Sequence, residues 1–179
     1  SIILKDKIKD NMKNTFEKFK KLGIKTRMFT GDRKEVAKEV ANEVGIDEYK
    51  AEMLPQDKFN ELEKVIESNK DENCKVAFVG DGINDSPVIA RADIGISMGG
   101  VGASSAIEAS DVVIMTDEIE KIITGIRISK KTNRIIKENL VFSIGIKILV
   151  LLLTILGISD MWEAVFADVG VTLITIFNT

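Results

Sequence analysis

Histidine is absent from the 179 residues, and Cys74 is the single cysteine. One cysteine excludes an internal disulfide. Without histidine, a zinc finger or a Cys/His metal cluster within the chain has no ligand set to draw on. An excess of positive charge is also lacking. The formal net charge is −3, which leaves no basic field for nucleic acid, so nucleic acid is not expected as a partner. The chain begins at Ser1 rather than Met and shows no signal-peptide pattern, so it is expected to be a piece of a longer gene product. Its length suits one domain, or one domain with an appendage.

What is present is unevenly distributed. Up to about residue 137 the chain is rich in Lys, Glu and Asp. From Leu140 to Ile158, "LVFSIGIKILVLLLTILGI", the only charge is Lys147. A second apolar stretch, Met161 to Asn178, carries Glu163 and Asp168. Each stretch is about 18–19 residues, or roughly 28 Å as a helix, close to the hydrocarbon thickness of a bilayer. The alternative is a buried helical pair in a soluble protein, but "ILVLLLTIL" has no polar face. The expected organisation is therefore a soluble part (1–128), a basic juxtamembrane linker (129–139) and two transmembrane helices (140–158 and 161–178). Lys130, Lys131, Arg134 and Lys137 precede the first span, and the connection Ser159-Asp160 has no basic residue. The positive-inside rule then puts the soluble part on the cytoplasmic side of a cell membrane. Trp162 sits where an interfacial aromatic belongs.

In the soluble part, Met12, Phe16, Phe19 and Leu22 recur at helical spacing, and Gly23 ends that helix. "IKTRMF" reads as a strand that stops at Thr30-Gly31-Asp32. Residues 33–44 read as a helix with Val36, Ala37, Val40 and Val44 inward, and 57–69 as one with Phe59, Leu62, Val65 and Ile66 on one face. "KVAFVG", "DIGISM" and "DVVIM" are further strands, with a short helix over 86–92. Apolar strands alternating with helices predict an α/β fold with a parallel sheet covered on both faces. Ligands in such folds bind at the C-terminal strand ends. Both polar loops, "TGD" and "GDGIND", fall there.

Two aspartates four residues apart, Asp81 and Asp85, repel each other unless a cation lies between them. A hard cation with oxygen ligands, Mg²⁺, removes that cost. The nearby glycines let backbone N–H groups approach a phosphate. Thr30 can offer a hydroxyl to a phosphoryl oxygen, and a lysine in reach would neutralise developing charge. Together these would form a phosphoryl-transfer site that lacks a nucleophile. Alone, "TGD" reads as an ordinary turn; "GDGINDSP" in this setting does not.

These residues resemble a P-type ATPase of the haloacid-dehalogenase-like superfamily, over nearly the whole chain. "MFTGD" is similar to the family's threonine loop, "MLPQDK" to its Pro-x-x-Lys segment, and "VGDGINDSP" to its hinge and magnesium loop. "ADIGISMG" and "IEASDVVIM" match the strands that follow. The resemblance implies a haloacid-dehalogenase-like, Rossmann-type parallel sheet followed by a two-helix transmembrane hairpin. It implies that Asp81 binds Mg²⁺, with Asn84 and Asp85 orienting the phosphoryl group and its magnesium network. Thr30 and Gly31 would hold phosphoryl oxygens, Asp32 would act on the nucleotide side, and Lys58 would stabilise charge. ATP is the implied phosphoryl donor. Ser104 departs from the aspartate usual at its position, which implies a local effect on that loop.

The family's phosphorylated aspartate, in an Asp-Lys-Thr-Gly-Thr motif, does not occur in this sequence. Nor do the actuator domain, the nucleotide-binding domain and the earlier membrane helices. By resemblance, the nucleophile strand lies between the "TGD" and "GDGIND" strands. The chain is thus expected to be a C-terminal fragment with a partial, gapped sheet, inactive alone.

Cargo is expected to be read in the hairpin. Lys147 is about 12 residues, or 18 Å, from the outer loop and Asp168 about 8 residues, or 12 Å, so the two lie near enough in depth to pair. Intramembrane charges usually mark an ion path, although a purely structural pair is the other reading. Asn139, Lys147 and Asp168-Val169-Gly170 resemble the zinc/cadmium/lead branch of the heavy-metal pumps. That resemblance implies Asp168 as a ligand or near-ligand of the transported ion and Lys147 as its built-in counter-ion. Zinc, cadmium and lead are not ranked, because the family's Cys-Pro-Cys helix is absent here. Two rival readings stand beside the pump. One is a membrane-anchored phosphatase of the same superfamily; the other is a non-catalytic or split pump remnant.

Overall fold

In the computed structural model, residues 8, 11–70, 74–80, 83–99, 107–116, 118–157 and 161–178 are described. The chain divides into two compact units, residues 1–123 and 124–179. In the first, helices and strands alternate: α1 (Met12–Lys21), β1 (Arg27–Phe29), α2 (Lys34–Val44), β2 (Glu48–Lys50), α3 (Pro55–Asn69), β3 (Ala77–Gly80), a 3₁₀ turn at Ile83–Asp85, α4 (Ser86–Arg91), β4 (Ile94–Met98) and β5 (Val112–Ile114).

Local chemistry sets the helix ends. Basic Lys18, Lys20 and Lys21 crowd the last turn of α1, where the carbonyl end of the helix dipole favours cations. Gly45 ends α2 at φ +86, donating its N–H to Ala41 O at 2.9 Å. That is a left-handed cap that glycine adopts without strain. α3 opens with Pro55 in its first turn, and Asp57 Oδ2 reaches back to accept the Leu54 N–H at 2.9 Å.

Every strand pair is parallel, as expected, but the strands form two sheets rather than one. β1 pairs with β2, and separately β3 pairs with β4 and β4 with β5. Among the described residues no ladder joins β1 to β3. The break falls where the nucleophile-bearing strand was expected to be missing. One core cluster lies on the second sheet, with Leu62 and Ile66 of α3 against Val88 of α4 and Phe59, Val76, Phe78 and Ala92 around them. Helix α4 lies directly on β4. A Cβ at Gly95 would stand 2.5 Å from Ile89 O, so only glycine fits there. α2 buries Ala37, Ala41 and Val44, whereas Val36, expected inward, is 48% exposed.

Each parallel pair is fastened at its N-terminal end by an aspartate just before the second strand. Asp47 Oδ2 accepts the Thr26 N–H at 2.8 Å, Asp93 Oδ2 accepts Val76 N–H at 2.9 Å, and Asp111 Oδ2 accepts Gly95 N–H at 2.8 Å. The backbone donor at Thr26, with its hydroxyl, holds the Asp47 carboxyl below the usual range. The Val76 N–H, and then Lys75, do the same for Asp93. A depressed folded pKa stabilises the fold above the unfolded Asp value of about 3.9, and that contribution disappears as pH falls through the folded values. Thermal melts of the whole chain in detergent should therefore lose stability as pH falls below about 4. Asp93→Asn should be less stable at pH 7 and lose less on acidification; an unchanged slope in that variant would contradict the clamp.

Among the described residues, the second unit holds two helices. α5 (Glu120–Ile155) starts at the end of the first unit and runs 36 residues without a break; α6 is Met161–Phe177. The basic stretch 129–139 is thus helical throughout. α5 is long and apolar enough to cross a membrane, while α6 has a shorter apolar stretch, Val165–Phe177.

Candidate functional site

Thr30 continues the end of β1, donating its N–H to Lys50 O at 3.0 Å. Its hydroxyl donates to Asp32 Oδ2 at 2.7 Å and accepts the Asp32 N–H at 3.1 Å. The loop is then fastened to the segment leading into α3. Met53 N–H donates to Thr30 O at 3.1 Å and Glu52 N–H to Asp32 O at 2.8 Å. Glu52 makes that bond from φ +57, a left-handed conformation unusual for glutamate. Nothing in the sequence signals it, since such positions usually read as Gly or Asn. A Cβ on Gly31 would meet only Met53 O at 3.4 Å, an ordinary contact.

Beyond the end of β3, Asp85 stands at the N-terminal boundary of α4, and its side chain accepts a hydrogen bond from Lys58 Nζ at 2.9 Å. The side chains are only 19% and 13% exposed, so this is the most enclosed charge pair of the site. The pairing spans 27 residues of sequence and joins two elements singled out from motifs alone. Gly80 makes it fit: a Cβ there would lie 3.0 Å from Asp85 Cβ and 3.1 Å from Ile89 Cδ1. Asn84 is exposed beside the pair. Ser86 Oγ, next to Asp85, is buried with no hydrogen-bond partner among the described residues; residue type and spacing do not single it out.

The structure thus brings Lys58 to Asp85, and Thr30 to Asp32. No hydrogen bond joins the first pair to the second among the described residues. Asp81 lies outside the described residues, as do Ser104 and the connection Ser159-Asp160. Mg²⁺ requires oxygen ligands. Asp85 fits that donor chemistry, and Lys58 shares its carboxylate. No group of three or more His, Cys, Asp or Glu is placed to hold a metal among the described residues.

In the second unit, Lys147 Nζ of α5 stands 3.0 Å from Asp168 Oδ1 of α6. Further toward the start of the apolar part of α5, Asn178 Nδ2 donates to Asn139 Oδ1 at 2.8 Å, and Asn139 Nδ2 donates to Thr175 O at 3.2 Å. The second bond engages a carbonyl in the last turn of α6. In the sequence Asn139 stood out only as part of a pattern, and Asn178 only as the end of the second apolar stretch. Glu163 is exposed near the start of α6.

Polar loops thus follow the carboxyl ends of the parallel strands β1 and β3, where ligands bind in Rossmann-type sheets, and the second holds an enclosed Lys–Asp pair. Residues 1–93 match the haloacid dehalogenase-like hydrolase family, and the chain belongs to it. Its relatives are more specific. The cadmium, zinc and cobalt-transporting ATPase of Bacillus subtilis is 49% identical over 179 residues, covering 99% of this chain and 25% of that protein. The zinc-transporting ATPase of Synechocystis is 47% identical over 178 residues, covering 99% and 24%. A crystal structure of a zinc-transporting PIB-type ATPase in the E2.Pi state superposes with a TM-score of 0.87 at 32% identity, over 97% of this chain and 28% of that one. The resemblance to zinc- and cadmium-transporting P-type ATPases therefore holds over nearly the whole chain. The chain spans about a quarter of the length of these relatives.

Proposed function

We propose that this chain works as the C-terminal part of an ATP-driven exporter of divalent heavy-metal ions, acting through an aspartyl-phosphate intermediate. The observation that carries the reading is the 3.0 Å Lys147–Asp168 pair, held between two apolar helices in a chain that also bears a phosphoryl-transfer site. A membrane-anchored phosphatase has no use for such a pair, because charge within the hydrocarbon is costly and an anchor gains nothing from it.

In this reading the soluble unit faces the cytoplasm and the apolar helices cross the cell membrane. The gap between β1 and β3 receives a strand from an earlier part of the pump. That strand carries the aspartate that ATP phosphorylates. Lys58 offsets charge on the transferred phosphoryl group, while Asp85 and Asn84 orient it. Thr30 and Gly31 hold its oxygens and Asp32 lies toward the nucleotide. Asp81 and Asp85 would hold Mg²⁺, which supplies charge neutralisation when bound. Zinc, cadmium and lead are the proposed cargo, and cobalt joins them from the name of the Bacillus subtilis relative. Asp168 ligates the ion or stands beside it, and Lys147 replaces the ion as counter-charge when the site empties. The isolated chain, lacking the nucleophile, is inactive.

The experiment is phosphorylation of the full-length pump by radiolabelled ATP with Mg²⁺. Wild type should form an acid-stable phosphoenzyme and Asp81→Ala should form none. Normal phosphoenzyme in Asp81→Ala would refute the magnesium role.

A further inference from the structure

Six basic residues of α5 precede its apolar part; Lys121, at its start, pairs with Glu118, and the other five, Arg127, Lys130, Lys131, Arg134 and Lys137, lie closer to the apolar part and are all exposed. Because α5 is an unbroken helix there, their angular positions follow from about 100° per residue. All five fall within an arc of roughly 120°. Over residues 127–137 the positions outside that arc, Ser129, Thr132, Asn133 and Ile136 among them, carry no charge. The one acidic residue amid the stripe is Glu138, whose Oε1 accepts from Arg134 Nε at 2.7 Å. A single carboxylate leaves most of this positive charge uncompensated within the helix.

Depth along the helix says what meets the stripe. At about 1.5 Å per residue, Lys137 sits roughly 4–5 Å before Leu140, Arg134 roughly 9 Å, and Lys130 and Lys131 roughly 14–15 Å. The headgroup layer is about 5–8 Å deep on each side of a bilayer. The potential of an anionic surface persists about 8–10 Å further at physiological salt. Lys137 and Arg134 thus reach the headgroups, and Lys130 and Lys131 stand within their field. Arg127, roughly 20 Å away, lies at its limit.

We propose that this stripe is a binding surface for anionic phospholipid headgroups, holding α5 at the membrane surface on one face. The inference rests on the reading of residues 140–155 as membrane-spanning. Headgroups are favoured over an acidic protein segment because the stripe continues without a break into the apolar half of the same helix. Covalent continuity alone carries it to the bilayer surface.

The test uses the full-length pump in vesicles of phosphatidylcholine with a minor fraction of spin-labelled phosphatidylglycerol or spin-labelled phosphatidylcholine. It needs neither ATP nor metal, so its failure is distinct from failure of the transport reading. The motionally restricted fraction should show phosphatidylglycerol preferred about fivefold or more over phosphatidylcholine, the scale set by a single basic residue at an anionic surface. Added salt should erode that preference. Combining Lys130→Gln, Lys131→Gln, Arg134→Gln and Lys137→Gln should bring it close to unity. Lys13→Gln with Lys20→Gln, on α1, should leave it unchanged. A preference that survives the fourfold variant, or that ignores salt in wild type, overturns the proposal. The wild-type salt series decides the matter even if the variant fails to fold.

Discussion

Lys58→Ala in the full-length pump is expected to lower ATP turnover by about 100- to 1000-fold, the cost of deleting one positioned donor from a site where charge develops. The geometry explains why one lysine matters so much. Lys58 Nζ is 2.9 Å from Asp85 Oδ1, and both side chains are largely enclosed. Removing the cation does two things at once. It takes a positive charge away from the transferring group, and it leaves a partly buried carboxylate unpaired. The second effect alone should destabilise the soluble unit by about 1–3 kcal/mol, less than for a fully buried pair. Lys58→Arg keeps the charge but not the compact point geometry of an ammonium, and should restore stability more than turnover. Turnover assays and thermal melts on the same preparations separate the two effects. Turnover within tenfold of wild type for Lys58→Ala would remove Lys58 from the chemistry.

Asp168→Ala is expected to abolish metal-stimulated ATP hydrolysis, a drop of at least 100-fold, on the scale of losing a charged group that the reaction requires. Phosphorylation of the same variant from inorganic phosphate should survive, because the catalytic loops lie in the other unit. The substitution also leaves Lys147 without the carboxylate 3.0 Å away. An uncompensated cation deep in the bilayer costs about 2.5–3.5 kcal/mol. Lys147→Ala in the Asp168→Ala background should therefore recover membrane accumulation without recovering metal response. Metal stimulation that persists unchanged in Asp168→Ala would make the pair structural only.

How much of this was legible in the sequence depended on which forces leave a local trace. α3 was legible because Phe59, Leu62, Val65 and Ile66 recur at helical spacing, and the structure packs these residues inward. The break between β1 and β3 was legible only through an absent motif. β2 was not legible: "EYK" is a polar edge strand with no apolar run, and its pairing comes from Asp47 and the neighbouring backbone. Val36 was misread because α2 meets its neighbours along the Ala37–Ala41–Val44 row, one position round the helix. The charge of the basic stretch 129–139 gave no sign of its helical backbone, which bonds to itself whatever its side chains carry. In the site, Lys58 and Asp85 were each found by motif, and their contact required the fold. The left-handed Glu52 that fastens the Thr30 loop leaves no sign in residue type. Neither does the Asn139–Asn178 contact, which joins positions 39 residues apart.

The most direct measurement is ATP hydrolysis by the full-length pump in sealed vesicles, with Zn²⁺ or Cd²⁺ supplied on the cytoplasmic face. The account predicts hydrolysis that depends on Mg²⁺ and rises several-fold with either metal, accompanied by its accumulation across the membrane. Mg²⁺-dependent hydrolysis that ignores both metals and moves neither would contradict it, and would leave only the phosphoryl-transfer half standing.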